Sequence, residues 1–119
     1  MKKQVGLWID HKRAVIITLK DGKEEVKKIT SNVEKHEDSR GEESRDNKFD
    51  NQLNEYFDEV ITFIRDADSI LVLGPGEAKS EFEKRTAHEG LKAPLTVETV
   101  DKMTDGQISE KVREHFQTK

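Results

Sequence analysis

Two places in this 119-residue chain combine residue types and spacing that can do chemistry. The first is Gly74-Pro75-Gly76-Glu77-Ala78-Lys79, directly after the apolar run Ile70-Leu71-Val72-Leu73. A turn of this kind opening a helix at the carboxyl end of a strand exposes backbone N–H groups that can hold an anion, with Lys79 adding positive charge. The second is Asp10, which closes the apolar stretch Val5–Ile9 and is a candidate metal-binding carboxylate. Two-metal chemistry needs several carboxylates converging on one point.

Each candidate has features against it. The glycine turn is not a Walker A loop, which is longer and ends in Gly-Lys-Ser/Thr. It is not Gly-x-Gly-x-x-Gly either, because Lys79 stands at the third glycine position. Glu77 already brings a negative charge to the first turn. For Asp10, the end of the fourth strand would have to supply a second carboxylate, and Gly74-Pro75 stands there. Glu98 and Asp101 are the acids that can approach from the fifth strand. His11, His36, His88 and His115 include no i, i+4 ligand pair. There is no cysteine, hence no thiolate nucleophile, thiolate metal site or disulfide framework. Gly-x-Ser-x-Gly is absent. These readings imply no catalytic residue, no metal and no cofactor.

The elements that position these residues follow from hydrophobic periodicity. Val5–Ile9 alternates, with Val5, Leu7 and Ile9 on one side and Gly6 and Trp8 on the other. Ala14–Leu19 is apolar on both faces, and Lys20-Asp21-Gly22-Lys23 predicts a hairpin. Glu24–Thr30 is half polar and reads as an edge strand whose lysines discourage further pairing. Ser31–Lys48 carries four Lys/Arg and six Asp/Glu around a single apolar residue, Val33, and is expected to be a mobile polar loop.

Phe49, Leu53, Tyr56, Phe57, Val60, Ile61 and Ile64 mark an amphipathic helix capped by Asp46 or Asn47 and ending near Asp66. Tyr56, Phe57 and Phe63 are expected in the core. The buried strand Ile70–Leu73 follows, then a helix from about Gly76 to His88 with Gly90 at its C-terminal cap. Leu95–Val100 is the fifth strand. Thr104 and Gln107 form a capping box before a last helix carrying Ile108, Val112, His115 and Phe116 on one face.

The order β-β-β-loop-α-β-α-β-α is that of a meander followed by right-handed crossovers. It predicts one domain over 1–119: an α/β fold with a mixed five-stranded sheet of order 3-2-1-4-5 and three helices. That is the ribonuclease H-like architecture, in which nucleases keep a metal-binding carboxylate at the end of the first strand. Composition agrees with a small soluble domain. Charged residues make up 39% of the chain, the mean hydropathy is -0.88 and the net charge is -4. An acidic balance argues against an evenly basic nucleic-acid binder and leaves room for a local basic patch. No stretch has signal-peptide or transmembrane length, so the expected location is cytoplasmic, with no membrane partner.

Pro75-Gly76-x-x-Lys79-x-x-Phe82 after an apolar strand resembles the strand–turn–helix of the middle domain of Pelota. A related turn occurs in archaeal and eukaryotic class I release factors. Val5-Gly6-Leu7-Trp8-Ile9-Asp10 with Ala14 looks like the opening strand pair of that domain. The polar loop sits where release factors carry Gly-Gly-Gln, and the remaining elements agree in order. The resemblance implies the ribonuclease H-like fold and a translation-associated role. It identifies the chain as similar to stand-alone bacterial relatives of the domain.

The catalytic tripeptide is missing: the nearest candidate is Ser39-Arg40-Gly41-Glu42, and the loop contains no glutamine. In this the chain is closer to Pelota, which acts without hydrolysing the peptidyl ester. The expectation is therefore a non-catalytic module binding the ribosome or a structured RNA. Its phosphate contacts would be Gly74, Pro75, Gly76 and Lys79 with Arg40, Arg45 and Lys48 of the loop. The alternatives are a metal-dependent nuclease or phosphohydrolase centred on Asp10, and a homo-oligomeric protein-interaction module.

Overall fold

The computed structural model describes residues 3–31 and 42–117. Its elements are β1 (Lys3–Ile9), β2 (Arg13–Lys20), β3 (Lys23–Thr30), α1 (Glu42–Ile64), β4 (Ser69–Gly74), α2 (Ala78–His88), β5 (Leu95–Thr99) and α3 (Asp105–Gln117). The five strands form one sheet in the order β3-β2-β1-β4-β5, as the element order predicts. β1 pairs antiparallel with β2 and parallel with β4, and β5 adds parallel to β4.

The β2–β3 connection is the expected two-residue hairpin. Lys20 and Lys23 are register partners, and Asp21 and Gly22 both have positive φ, at 56° and 78°. Two successive left-handed residues are what a type I′ turn requires.

The sheet is covered on both faces. Val5, Leu7, Ile9, Ile16, Ile70 and Val72 point to one side, where Leu53, Tyr56, Phe57, Val60, Ile61 and Ile64 of α1 and Phe82 of α2 close the larger core. Trp8, Val15, Ile17, Leu71 and Leu73 point to the other, against Ile108 and Val112 of α3. β1 and β4 are therefore apolar on both faces, as central strands under helices must be. Gly6 is what lets α3 approach: a Cβ on it would lie 2.3 Å from a methyl of Val112.

Three features differ from the sequence expectation. α1 begins at Glu42, seven residues before Phe49, so Asp46 and Asn47 are inside the helix and do not cap it. Residues 42–48 have few apolar groups, but continuity with the packed turns that follow offsets their polarity. Of the stretch expected as a loop, residues 32–41 lie outside the described residues. Second, Phe63 is 40% exposed and lies outside the core, with the Lys27 ammonium 4.9 Å from its ring centre. Third, α2 starts at Ala78, two residues beyond Gly76.

The helix ends follow local rules. Thr104 N–H donates to Gln107 Oε1 (2.9 Å) and Gln107 N–H donates to Thr104 Oγ1 (3.2 Å), the reciprocal capping box. At the end of α2, Gly90 has φ 77°, its N–H donates to Ala87 O, and the Leu91 N–H donates to Thr86 O. That pair of bonds is a Schellman closure, and it needs a residue that tolerates the left-handed region.

Candidate functional site

The carboxyl ends of β1, β4 and β5 lie on one edge of the sheet, because the three strands are parallel. β3 ends at this edge as well, since it is antiparallel to β2. Both regions singled out in the sequence are therefore brought together there.

The ends of β1 and β4 are in close contact. A Cβ on Gly74 would lie 2.6 Å from the carbonyl oxygen of Ile9, so only glycine fits without displacement. Gly74 O in turn accepts from the Val100 N–H at 2.9 Å. Gly74 is thus the constrained glycine of the turn. Gly76 has no neighbour within 4 Å of an added Cβ and lies outside the left-handed region. Pro75, Gly76 and Glu77 are exposed. Glu77 occupies the N-cap of α2 without a side-chain bond to the helix. Lys79 folds back over the turn, and its Nζ donates to Gly76 O at 2.6 Å. An ammonium has three donors, so this bond holds the charge beside the turn without exhausting it.

Asp10 shapes the neighbouring loop. Its Oδ1 accepts from the backbone N–H groups of Lys12 and Arg13, each at 2.8 Å, and its own N–H donates to Arg13 O. Tyr56 of α1 donates its hydroxyl to Asp10 O at 2.9 Å. Burial, reinforced by the Asp10 charge, holds that phenol well above its ordinary range and keeps it a donor. Ser31 is tied to the same loop: its N–H donates to Lys12 O and its hydroxyl to His11 O. Ser31 is therefore fixed at this edge.

One carboxylate oxygen of Asp10 is thus engaged in a turn. Glu98, expected to approach it, instead forms an ion pair with Lys111 of α3 at 3.1 Å. Asp101 contributes its carbonyl oxygen, which accepts from the Trp8 indole N–H at 3.3 Å. Among the described residues no three His, Cys, Asp or Glu side chains are grouped to hold a metal ion.

The structure also brings together residues that sequence reasoning did not join. His11 Nε2 lies 2.6 Å from Glu81 Oε1 in the first turn of α2, so an acid there is matched by an imidazole from the β1–β2 loop. Lys12 and Lys102 are exposed on the same edge. The Arg13 guanidinium sits over the Trp8 ring at 5.0 Å, a stacking that orients it. Arg13, Lys102, Thr104 and Gln107 line a shallow cleft of about 510 Å³ beside the start of α3. The signal in the sequence was the charged run Asp10-His11-Lys12-Arg13 at the end of an apolar strand. Its distant partners, Tyr56 46 positions from Asp10 and Glu81 70 positions from His11, carried no local mark.

Of the predicted phosphate contacts, Gly74, Pro75, Gly76 and Lys79 share this edge. Arg45 and Lys48 lie on α1, eleven and eight residues before Tyr56. At 1.5 Å per residue they stand about 16 and 12 Å along the helix from that residue. Arg40 lies outside the described residues.

The fold is shared with known structures. The Pelota protein of Thermoplasma acidophilum overlays at TM-score 0.66 over 94% of this chain and 32% of its own, with 18% identity. Pelota of Archaeoglobus fulgidus overlays at 0.62 over 95% of this chain and 31% of its own, also with 18% identity. An archaeal translation termination factor overlays more loosely, at 0.46 with 16% identity, over 97% of this chain and 40% of its own. No protein-family model matches the chain, and no curated protein matches it in sequence. The chain spans about a third of the length of the two Pelota structures, and its α/β fold is that of a Pelota-like domain. No helix among the described residues is long and apolar enough to cross a membrane.

Proposed function

We propose that this chain is a non-catalytic, translation-associated module that binds ribosomal or other structured RNA through its carboxyl sheet edge. The observation that carries the reading is the Pelota overlay across nearly the whole chain, at TM-score 0.66. It agrees with the resemblance of Pro75-Gly76-x-x-Lys79-x-x-Phe82 to the turn of the Pelota middle domain. Lys12, Arg13, Lys79 and Lys102 gather at the same edge, where the strands end and residues 32–41 begin. Phosphate contacts from such side chains provide affinity without sequence readout.

The acids Glu77, Glu81 and Asp105 on that edge limit the field, and the whole chain carries a net charge of -4. Binding is therefore local and strongly screened. Peptidyl-ester hydrolysis has no support, because Ser39-Arg40-Gly41-Glu42 replaces Gly-Gly-Gln. A metal nuclease has little, because Asp10 serves a turn.

Co-sedimentation with ribosomes over a salt series tests the proposal. The expected result is a bound fraction at low salt that falls steeply as salt rises. No bound fraction at the lowest salt would remove the reading.

A further inference from the structure

β3 ends the sheet, and of its eight residues only Ile29 is buried. The residues that close a two-residue hairpin exchange both backbone bonds, and here they are Lys20 and Lys23. Pairing alternates from that point. Lys23, Glu25, Lys27 and Ile29 thus turn their N–H and C=O groups to β2, while Glu24, Val26, Lys28 and Thr30 turn theirs outward.

The side chains on this edge read Glu24-Glu25-Val26-Lys27-Lys28. Reversed about Val26, the pattern is its own electrostatic complement. An antiparallel copy places Glu24 opposite Lys28, Glu25 opposite Lys27 and Val26 opposite Val26. A shift that centres the pairing on Glu25 would instead oppose Lys23 to Lys27. Centring it on Lys27 would leave Glu24 and Glu25 facing Thr30 and Ile29. One register is therefore favoured by charge.

Two observations prepare the edge for it. Val26 is 51% exposed, although its register partner Ile17 is buried under α3. Glu24 and Lys28, on either side of it, are held by α3: Ser109 and Arg113 donate to Glu24, and Lys28 pairs with Asp105.

We propose that the chain self-associates through β3, antiparallel to β3 of a second copy, about a two-fold axis at Val26. The two sheets then form one sheet of ten strands. This inference does not depend on the RNA-binding reading. Lysines on an edge ordinarily prevent such pairing. Here they prevent it with any strand lacking acids at the matching positions. One short strand pair buries less than the about 1,200 Å² of a standard interface, so the dimer is weak and concentration-dependent.

The full chain is tested by sedimentation velocity across a concentration series. The average mass should rise from one chain toward two. Glu25 and Lys27 are the positions to change, because Glu24 and Lys28 also hold α3. Lys27→Glu and Glu25→Lys each place two like-charge pairs across the interface and should weaken association about tenfold or more. An equimolar mixture of the two variants should restore it. Val26→Pro, tolerated on an outward-facing edge, removes the central donor and should also give monomer.

The chain has no cysteine, so Val26→Cys tests register directly. Cα atoms of a bonded antiparallel pair lie about 5.5 Å apart, within disulfide reach. Oxidation should cross-link Val26→Cys much faster than Lys23→Cys. Circular dichroism verifies that each variant is folded. A monomer at every concentration would overturn the proposal. So would a dimer that survives both charge reversals and Val26→Pro.

Discussion

Gly74 rests against the carbonyl oxygen of Ile9, so closely that a Cβ on it would lie 2.6 Å from that oxygen. The contact joins the ends of two parallel strands and sets where the turn into α2 begins. The oxygen belongs to backbone in the middle of the sheet and cannot move aside cheaply. Gly74→Ala should therefore destabilise the fold by about 1–3 kcal/mol. Gly76→Ala, with open space around it, should change stability by less than about 0.5 kcal/mol. Urea unfolding followed by the fluorescence of Trp8, the sole tryptophan and fully buried, distinguishes the two.

Gly6 and Val112 make the corresponding contact on the other face. A Cβ on Gly6 would meet Val112 Cγ2 at 2.3 Å and Cγ1 at 2.7 Å. Val112 is fully buried and β-branched, so it has little rotamer freedom to yield. Gly6→Ala should cost about 1–3 kcal/mol by overpacking. In a Val112→Ala background the same change should cost much less. A double-mutant cycle measures that coupling, and additive costs would show that the two positions do not compete for space.

The Asp58–Arg85 pair predicts an acid-limb signature. Arg85 of α2 donates through Nε to Asp58 Oδ1 and through its terminal nitrogen to Oδ2, both at 2.8 Å, which ties α2 to α1. This bidentate bonding holds the Asp58 carboxyl below its ordinary value of 3.8. A depressed folded pKa means the unfolded chain binds the proton first as pH falls. The stabilisation is thus complete above that ordinary value and lost as pH drops through the lower folded one. Asp58→Asn should lower stability at neutral pH, and its difference from the parent should shrink below pH 3.8. Urea titrations at a series of pH values read this directly.

The RNA-binding reading predicts a change in salt dependence. Lys12→Ala with Lys79→Ala removes two cations from the carboxyl edge. If both meet phosphates, the slope of log affinity against log salt should fall in magnitude by about two. Lys111→Ala, which leaves that edge untouched, should not alter it. Titration of ribosomal RNA against each variant at several salt concentrations makes the comparison.

Much of this was legible in the chain because it depends on neighbours within a few positions. Asp21-Gly22 marked the hairpin, Thr104 and Gln107 the capping box, and Gly90 the end of α2. The spacing of Leu53, Tyr56, Phe57, Val60, Ile61 and Ile64 marked the buried face of α1. Chain order and the handedness of crossovers then limited the sheet to 3-2-1-4-5. The start of α1 was missed because Glu42–Lys48 has no apolar period, while a helix already anchored by packed turns can extend through polar residues. Phe63 was misplaced because it was grouped with Tyr56 and Phe57 as an aromatic, although it lies outside that spacing.

Taken alone, the chain determined the elements, their order and the candidate turn, all consequences of local conformational preference and of patterning with a period of 2 or 3.6. Which of the glycines around that turn is indispensable was decided by tertiary structure, through the approach of Gly74 to Ile9. So were the binding of Glu81 by His11, the stacking of Arg13 on Trp8, and the engagement of Asp10 in a turn that Tyr56 supports. The Gly74–Ile9, His11–Glu81 and Tyr56–Asp10 contacts join residues 46 to 70 positions apart, and the stacking of Arg13 on Trp8 depends on the turn between β1 and β2. They exist only once the parallel strands have aligned their ends on one edge, and that alignment depends on how both cores close over the sheet.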